Sequence, residues 1–390
     1  MREAVIVAAV RSAVGRAGGA LSSLQPHELG GLVVKEAVKR AKIDGAKIDE
    51  VIFGSVMSKE YNNIARVVEL ESGIPVNVPA ISLDRQCATS LNALAYGAVL
   101  IEAGVHDIVV AGGVDMDSKR PWIMGRVEKA FQAMPPMFLE PRVTPDAFGN
   151  ENMLITAENI GRKYKISRGD CDKFAVESHK KAIKAWENGI FDEQVLPIEV
   201  NIGKGKTHLV KKDETMREST LEDLGKLKLA SGVAGGVVTA GNSSPNCDGS
   251  SAVVIMEKEM AKGLNLEILG TYRGYTSVGV DPSTMGIGPV YAIRKLLDQK
   301  RMTMDEIDLF EINEAFSTQS LSCAKELGMD MNKLNVNGGA LALGHPLAAT
   351  GTILTAKMVY ELKRQNKQFG IISFCCGGGQ GVAMLIEREG

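Results

Sequence analysis

The sequence predicts an α/β fold made from two copies of one unit. Three observations carry this expectation. Apolar strands alternate with amphipathic helices, the pattern of a sheet buried on both faces. DIVVAGG at 107–113 parallels GIISFCCGG at 370–378, and EVIFG at 50–54 parallels LFEIN at 309–313 at nearly the same offset. Between the two copies the texture changes to prolines, methionines and charges, which marks an insertion.

The elements follow in order. Ala4 to Val10 reads as a first strand; it is too short and too early for a signal-peptide core, and Arg11 and Arg16 follow it rather than precede it. Glu28 to Lys42 places Leu29, Leu32, Val33, Ala37 and Val38 on one face of a helix, with basic residues late in the run. Glu50 to Met57 and Asp107 to Gly113 are apolar strands. Ile81 to Gly104 reads as a strand end, a polar turn and a helix in which Leu91, Leu94, Ala95, Ala98 and Ile101 recur at helical spacing. From about Asp117 to Lys228, Pro135, Pro136, Pro141 and Pro145 exclude long regular elements. Thr156 to Tyr164 and Ser167 to Asn188 are helices there, the second opening on a capping box from Ser167 to Asp170. Gly203 to Asp213 is a basic loop. Val237 to Gly241 and Ser251 to Met256 resume the strands, Gly288 to Gln299 mirrors the first helix, and a last helix runs from about Leu347 to Arg364.

Composition narrows the function. With 390 residues, 45% hydrophobic and 24% charged, the chain suits a soluble protein of two or more domains. A net charge of −2 gives no pull toward nucleic acid. No apolar run is long enough to span a membrane. Six cysteines without regular spacing, two of them adjacent at Cys375 and Cys376, point to reduced thiols and a cytoplasmic location. Five histidines and these cysteines give no zinc spacing, so no metal is expected.

Four places carry reactive groups at strand or helix ends. Cys87 stands just before a helix, where unpaired N–H groups and the helix dipole favour a thiolate. Taken alone, it reads better as a buried structural thiol. Asn313 and Glu314 follow a strand in EINEAF. His345 precedes Pro346 in a glycine- and alanine-rich turn, and Cys375 precedes glycines in FCCGGGQG. Singly these are a cap, a loop histidine and core thiols; at matching positions of a duplicated fold they suggest a shared site, at the junction of the halves.

Over its whole length the chain resembles the thiolases. The resemblance rests on the region around Cys87, AENI at 157–160, TAGNSS at 239–244, MGIGPV at 285–290, NEAF at 313–316, GHP at 344–346 and the terminal CCGGGQG. It implies a five-layered αβαβα core. Residues 1–117, completed by about 229–258, would form the first half and 259–390 the second, with 118–228 a loop domain over coenzyme A. It also implies reversible condensation of acetyl-CoA with an acyl-CoA, or thiolysis of a 3-ketoacyl-CoA, on short chains such as acetoacetyl-CoA. Cys87 would be the nucleophile, His345 the base and Cys375 the acid and base at the α-carbon. Asn313 would hold a water that forms an oxyanion hole with His345; the N–H groups of Cys87 and Gly377 would form a second. Ser244 would meet the pantetheine arm, Met153, Met285 and Phe316 the acyl group, and Arg217 or Lys204, Lys206, Lys211 and Lys212 the phosphates.

The chain departs from the family pattern at Asn152, where histidine is common in acetoacetyl-CoA thiolases, and at Pro245. Asn152 retains an amide for the substrate thioester. No cofactor is expected besides coenzyme A as substrate, and the family suggests a homodimer or homotetramer. The rival readings are a longer-chain thiolase, a ketoacyl synthase-type condensing enzyme and a silent acyl-CoA-binding subunit. The second cysteine speaks against the synthase, and the filled reactive positions against the silent subunit.

Overall fold

The computed structural model describes residues 2–58, 60–126, 137–139 and 141–389. Pro135 and Pro136, expected to interrupt regular structure, lie outside the described residues.

The strands that position the site are β1 (Ala4–Ser12), β2 (Glu50–Gly54), β3 (Ala80–Ser82), β4 (Ile108–Met116), β5 (Cys247–Glu257), β6 (Gly270–Gly279), β7 (Leu309–Ile312), β8 (Phe369–Cys376) and β9 (Gln380–Glu387). They run in the order β7-β8-β9-β6-β1-β5-β4-β2-β3. Within the first half, β4 is parallel to β2 and antiparallel to β5, which is antiparallel to β1. The second half repeats the plan: β8 is parallel to β7 and antiparallel to β9, which is antiparallel to β6. Even the edge strand β3 has a counterpart, a parallel bridge between Phe310 and Leu334. Among the described residues, the strands of the two halves pair at β1 and β6, Val5 with Thr271 and Ile6 with Gly270.

Helices fill three layers around these strands: α1 (Pro26–Arg40), α2 (Ile64–Ser72), α3 (Thr89–Glu102), α4 (Met153–Tyr164), α5 (Arg168–Glu187), α6 (Gly288–Lys300), α7 (Ser317–Leu327) and α8 (Thr350–Gln365). α1 begins two residues before its apolar stripe suggests, because Pro26 suits a first turn and Gln25 and Glu28 form a capping box. Its Leu29, Val33 and Val34 cover one face of the first half with Val68 of α2. Val290, Ile293 and Leu296 of α6 cover the opposite outer face of the second half. Between the halves lie α3 and α8, packed on each other. Leu91, Leu94 and Ile101 of one and Leu354, Met358 and Leu362 of the other are sandwiched between Val109 and Val253 on one side and Ile372 and Met384 on the other. Period-two alternation explains this, since Val110 joins the outer cluster and Val109 the inner one. Helix, sheet, helix pair, sheet, helix makes the expected five layers. The two central helices start in contact: a Cβ on Gly351 would lie 2.2 Å from the Leu91 backbone nitrogen.

Two local expectations fail. Val237 to Gly241 is not a strand; Thr239 makes only an isolated bridge with Leu229. Side chains take the backbone groups that a neighbouring strand would have taken. Glu158 accepts from the N–H groups of Val237 and Val238 at 2.8 and 3.0 Å, and Asn242 accepts from Thr239 at 2.9 Å while donating to the Val237 carbonyl at 3.0 Å. The basic stretch from Gly203 is not a simple loop either. Ile198–Asn201 and Thr207–Val210 form a hairpin that packs through Ile198, Val200 and Val210 on the outer core of the first half.

Candidate active site

Cys87 sits in a short 3-10 turn, Gln86–Ala88, between β3 and α3. Gln86 takes a left-handed φ of 49°, held by its N–H and side-chain amide on Asp84 Oδ1 at 2.7 and 3.2 Å. This turn packs against the turn Leu347–Ala349 just after His345 and against β8. The backbone N–H groups of Gly377 and of Cys87 itself act on the Cys87 thiol. They lower its pKa, the direction expected of N–H groups at a helix start, but they are not the largest influence. Burial is the largest effect, Asp115 and Asp84 add to it, and the thiol is pushed up to about 11. Cys87 therefore rests as a thiol, which only a base could make nucleophilic.

His345 is buried between Gly344 and Pro346. Its Nδ1 lies 2.7 Å from Thr350 Oγ1, whose own hydroxyl reaches the Pro346 carbonyl at 3.2 Å. That chain places the ring proton on Nδ1 and leaves Nε2 with a lone pair. Nε2 faces Asn313 Nδ2 at 3.2 Å. Burial holds the imidazole down at about 3, so it is neutral at ordinary pH. Asn313 stands one residue past β7 and is tied to β8 by its N–H on the Ser373 carbonyl at 3.0 Å. Its Oδ1 is buried with no hydrogen-bond partner among the described residues.

Cys375 and Cys376 are adjacent on β8 and point to opposite faces. Cys376 joins the inner helical layer. Cys375 joins a small apolar chamber with Ala157, Val238, Met285, Ala315 and Phe316, against which Met153 packs. Its thiol is raised well above the ordinary value, first by burial and next by charge on Cys87. The two sulfurs are thus electrostatic neighbours. The glycines after Cys376 are required by the turn: Gly378 and Gly379 both have φ of 83°, and a Cβ on them would meet the carbonyl oxygens of Val143 at 2.9 Å and Val280 at 2.4 Å.

The Cys87 turn thus packs on the turn after His345 and on the strand that carries Cys375, where the two halves join, and the His345 Nε2 lone pair faces Asn313. A family model described as the thiolase N-terminal domain matches residues 4–259, and one described as the thiolase C-terminal domain matches 266–388. The chain belongs to the thiolase family. It is 40% identical over 394 residues to an acetyl-CoA acetyltransferase of Pseudomonas aeruginosa, covering 100% of both chains. It is 41% identical over 399 residues to a 3-ketoacyl-CoA thiolase of Bacillus subtilis, covering 99% of this chain and 100% of that one. The solved structure of human mitochondrial 3-ketoacyl-CoA thiolase in complex with CoA superposes with a TM-score of 0.93 at 35% identity, covering 100% of this chain and 98% of that one. This thiolase is accordingly an acyltransferase.

Of the remaining expected positions, Met153, Met285 and Phe316 line the chamber of Cys375, while Lys204 and Lys206 lie at the tip of the hairpin on the outer core of the first half. Ser244 donates its N–H to the Ala315 carbonyl at 3.0 Å, and Ser243 bridges Phe316, so TAGNSS and NEAF lie side by side. Asn152 caps α4 through its Oδ1 on Leu154 N at 2.8 Å, which takes that oxygen away from substrate. With Met153 and Val143 it lines a cleft of about 740 Å3. Arg217 is exposed and reaches the Ala240 carbonyl at 3.4 Å, beside TAGNSS.

Four residues hold these elements in place in a role that sequence reasoning did not assign to them. Asp115, at the end of β4, accepts from Ser55 Oγ, Val56 N and Met57 N, and from Ala348 N at 2.6 Å. Burial raises it to about 6. It ties the turn after His345 to the first half. Cys247 Sγ accepts the His345 N–H at 3.1 Å. Glu158 of AENI also takes Ser231 Oγ at 2.7 Å and so fastens the 227–236 segment. Glu314 is gripped by Ser178 Oγ at 2.6 Å and Asn335 Nδ2 at 2.8 Å. The signal available for Asp115 and Glu314 was a carboxylate directly beside a strand end in an otherwise apolar run.

Proposed function

We propose that the chain cleaves short 3-ketoacyl-CoA thioesters with coenzyme A, and runs the reverse condensation of acetyl-CoA, through an acyl group on Cys87. The observation that carries this is the packing of the Cys87 turn on the turn after His345 and on the strand of Cys375, with Gly377 among the groups that lower the Cys87 thiol. In cleavage, His345 Nε2 takes the proton of Cys87 and the sulfur adds to the keto carbon. The Cys87 and Gly377 N–H groups receive the oxyanion, each worth about 3 kcal/mol of barrier. The C–C bond then breaks toward the thioester, whose enolate oxygen meets the newly protonated His345 and a water on Asn313. Cys375 gives its proton to the α-carbon and acetyl-CoA leaves. A coenzyme A thiol next loses its proton to the Cys375 thiolate and takes the acyl group from Cys87, and His345 returns its proton to the departing sulfur.

The raised thiols and lowered imidazole support this assignment, since each group begins in the protonation state its step needs. Ser244, Met153, Met285 and Phe316 would hold the pantetheine arm and acyl end, and Arg217 the phosphates. The small chamber around Cys375 favours acetoacetyl-CoA. The cleft from Met153 and Val143 out to Trp122 favours a second reading, a longer acyl chain. We further propose a cytoplasmic enzyme needing no other cofactor; all six cysteines are unpaired, and no helix among the described residues is long and apolar enough to cross a membrane. The edge strand β3 supports a homodimer, and the exposed Trp122 and Phe138 support a dimer of dimers.

Incubation with acetyl-CoA is expected to add one acetyl group to the peptide containing Cys87. An unmodified Cys87 in enzyme that is turning over removes the mechanism. Initial rates with 3-ketoacyl-CoA from four carbons upward decide between the chain lengths.

A further inference from the structure

Away from the reacting groups, a cleft of about 730 Å3 lies between α5 and α7. That is within the range of small-molecule sites, about 300–1,000 Å3. Its floor is apolar: Phe174, Leu321, Met329 and Leu334. Its rim carries Lys165, Lys173, Lys181 and Lys325. None of the four has a carboxylate partner in an ion pair among the described residues. Lys181 is half-buried and meets only the Leu334 carbonyl at 3.1 Å, and Lys325 meets the Tyr164 carbonyl at 3.0 Å. Of the two acids on the rim, Asp170 feels the charges of Lys173 and Lys325 without forming an ion pair with either, and both acids hold other partners. Asp170 caps α5 with Ser167 Oγ at 2.6 Å, and Glu177 pairs with Lys180 at 3.1 Å. An apolar trough under a rim of ammonium groups without carboxylate partners is complementary to an anion with an apolar tail.

The back wall gives the cleft a line to the reaction. It includes Ser178, Glu314 and Asn335. Asn335 brackets the end of β7, accepting from Ile312 N at 3.0 Å and donating to Ile312 O at 2.9 Å. The next residue is Asn313. A ligand in the cleft presses on the bracket that sets Asn313 and leaves the Cys87 turn alone.

We propose that the cleft between α5 and α7 is a second binding site, for a fatty carboxylate, and that its occupation acts on the enolate step through Asn335 and Glu314. The binding part stands on the cleft alone; the coupling part rests on the role of Asn313 given above.

Calorimetric titration of decanoate into the intact enzyme saturated with coenzyme A tests the binding. One decanoate per chain is expected, with affinity falling about tenfold or more in Lys173→Glu and in Leu321→Gln, which remove head-group and tail contacts separately. Decanol and decyltrimethylammonium should give no comparable heat. The site is overturned if decanoate gives no heat with coenzyme A present, or if both variants bind it as the wild type does. Decyl phosphate binding more than about tenfold tighter than decanoate overturns the choice of head group. Saturating decanoate should slow condensation at least about twofold while Cys87 acetylation by acetyl-CoA keeps its rate. Equal effects on both, or none, overturn the coupling while leaving the binding result intact.

Discussion

At the scale of single residues, burial keeps the two thiols and the imidazole of the candidate site neutral. His345 is held at about 3 against an ordinary 6.5. As pH falls below 6.5 the unfolded chain gains a proton there that the native protein refuses, so stability declines from 6.5 toward 3. Asp115, raised to about 6, works in the opposite sense, favouring the native state at low pH and losing that contribution as pH rises through 6. His345→Asn removes only the first effect. Its urea midpoint should therefore fall less between pH 7.5 and pH 5 than that of the wild type, by up to about 1.4 kcal/mol per pH unit in stability. Equal falls would show that His345 titrates normally. The paired thiols give a second contrast. Cys375→Ser should keep acetylation of Cys87 yet lose about a hundredfold or more of condensation. Cys376→Ser, in the inner core, should change stability and leave the ratio of the two rates alone. Similar losses in both steps for Cys375→Ser would make that thiol merely structural.

At the scale of elements, turns rather than strands carry the chemistry, and carboxylates hold the turns. Asp115 fastens three backbone N–H groups from two separate turns and so sets the start of α8 relative to β4. Asp115→Asn turns one acceptor oxygen into a donor facing donors. A loss of about 1–3 kcal/mol is expected, with kcat lowered and KM little changed because His345 precedes the displaced turn. A normal kcat at lowered stability would mean that the turn holds its position without this carboxylate. This scale also shows how far sequence reading reached. Strand alternation, helix stripes and the repeated segments foretold β2, β4, β7, β8, α1 and α6, because each rests on a local period. The Val237 to Gly241 segment was misread because its backbone partners are side chains distant in sequence, Glu158 above all. At Cys87 the dipole and N–H groups are local and visible in the sequence, while the burial that outweighs them arises only in the folded chain.

At the scale of the whole molecule, the chain ends in an open edge. Among the described residues β3 pairs only with β2, and Leu70, Val76 and Ile81 beside it are exposed by 45%, 75% and 51%. An exposed, apolar edge strand invites a twofold partner. Light scattering should give at least twice the chain mass of 41.7 kDa, and Ile81→Asp should shift the enzyme to the monomer. A wild-type monomer, or an assembly indifferent to that charge, would locate the contact elsewhere or remove it. Each half, meanwhile, contributes one helix to the inner layer, and neither α3 nor α8 has a solvent-facing alternative for its buried stripe. A gene fragment encoding one half would thus yield a sheet missing the lining of its inner side. Recombining halves from different relatives should succeed only when both central helices travel with partners of matched shape, so the ancestral doubling has become irreversible.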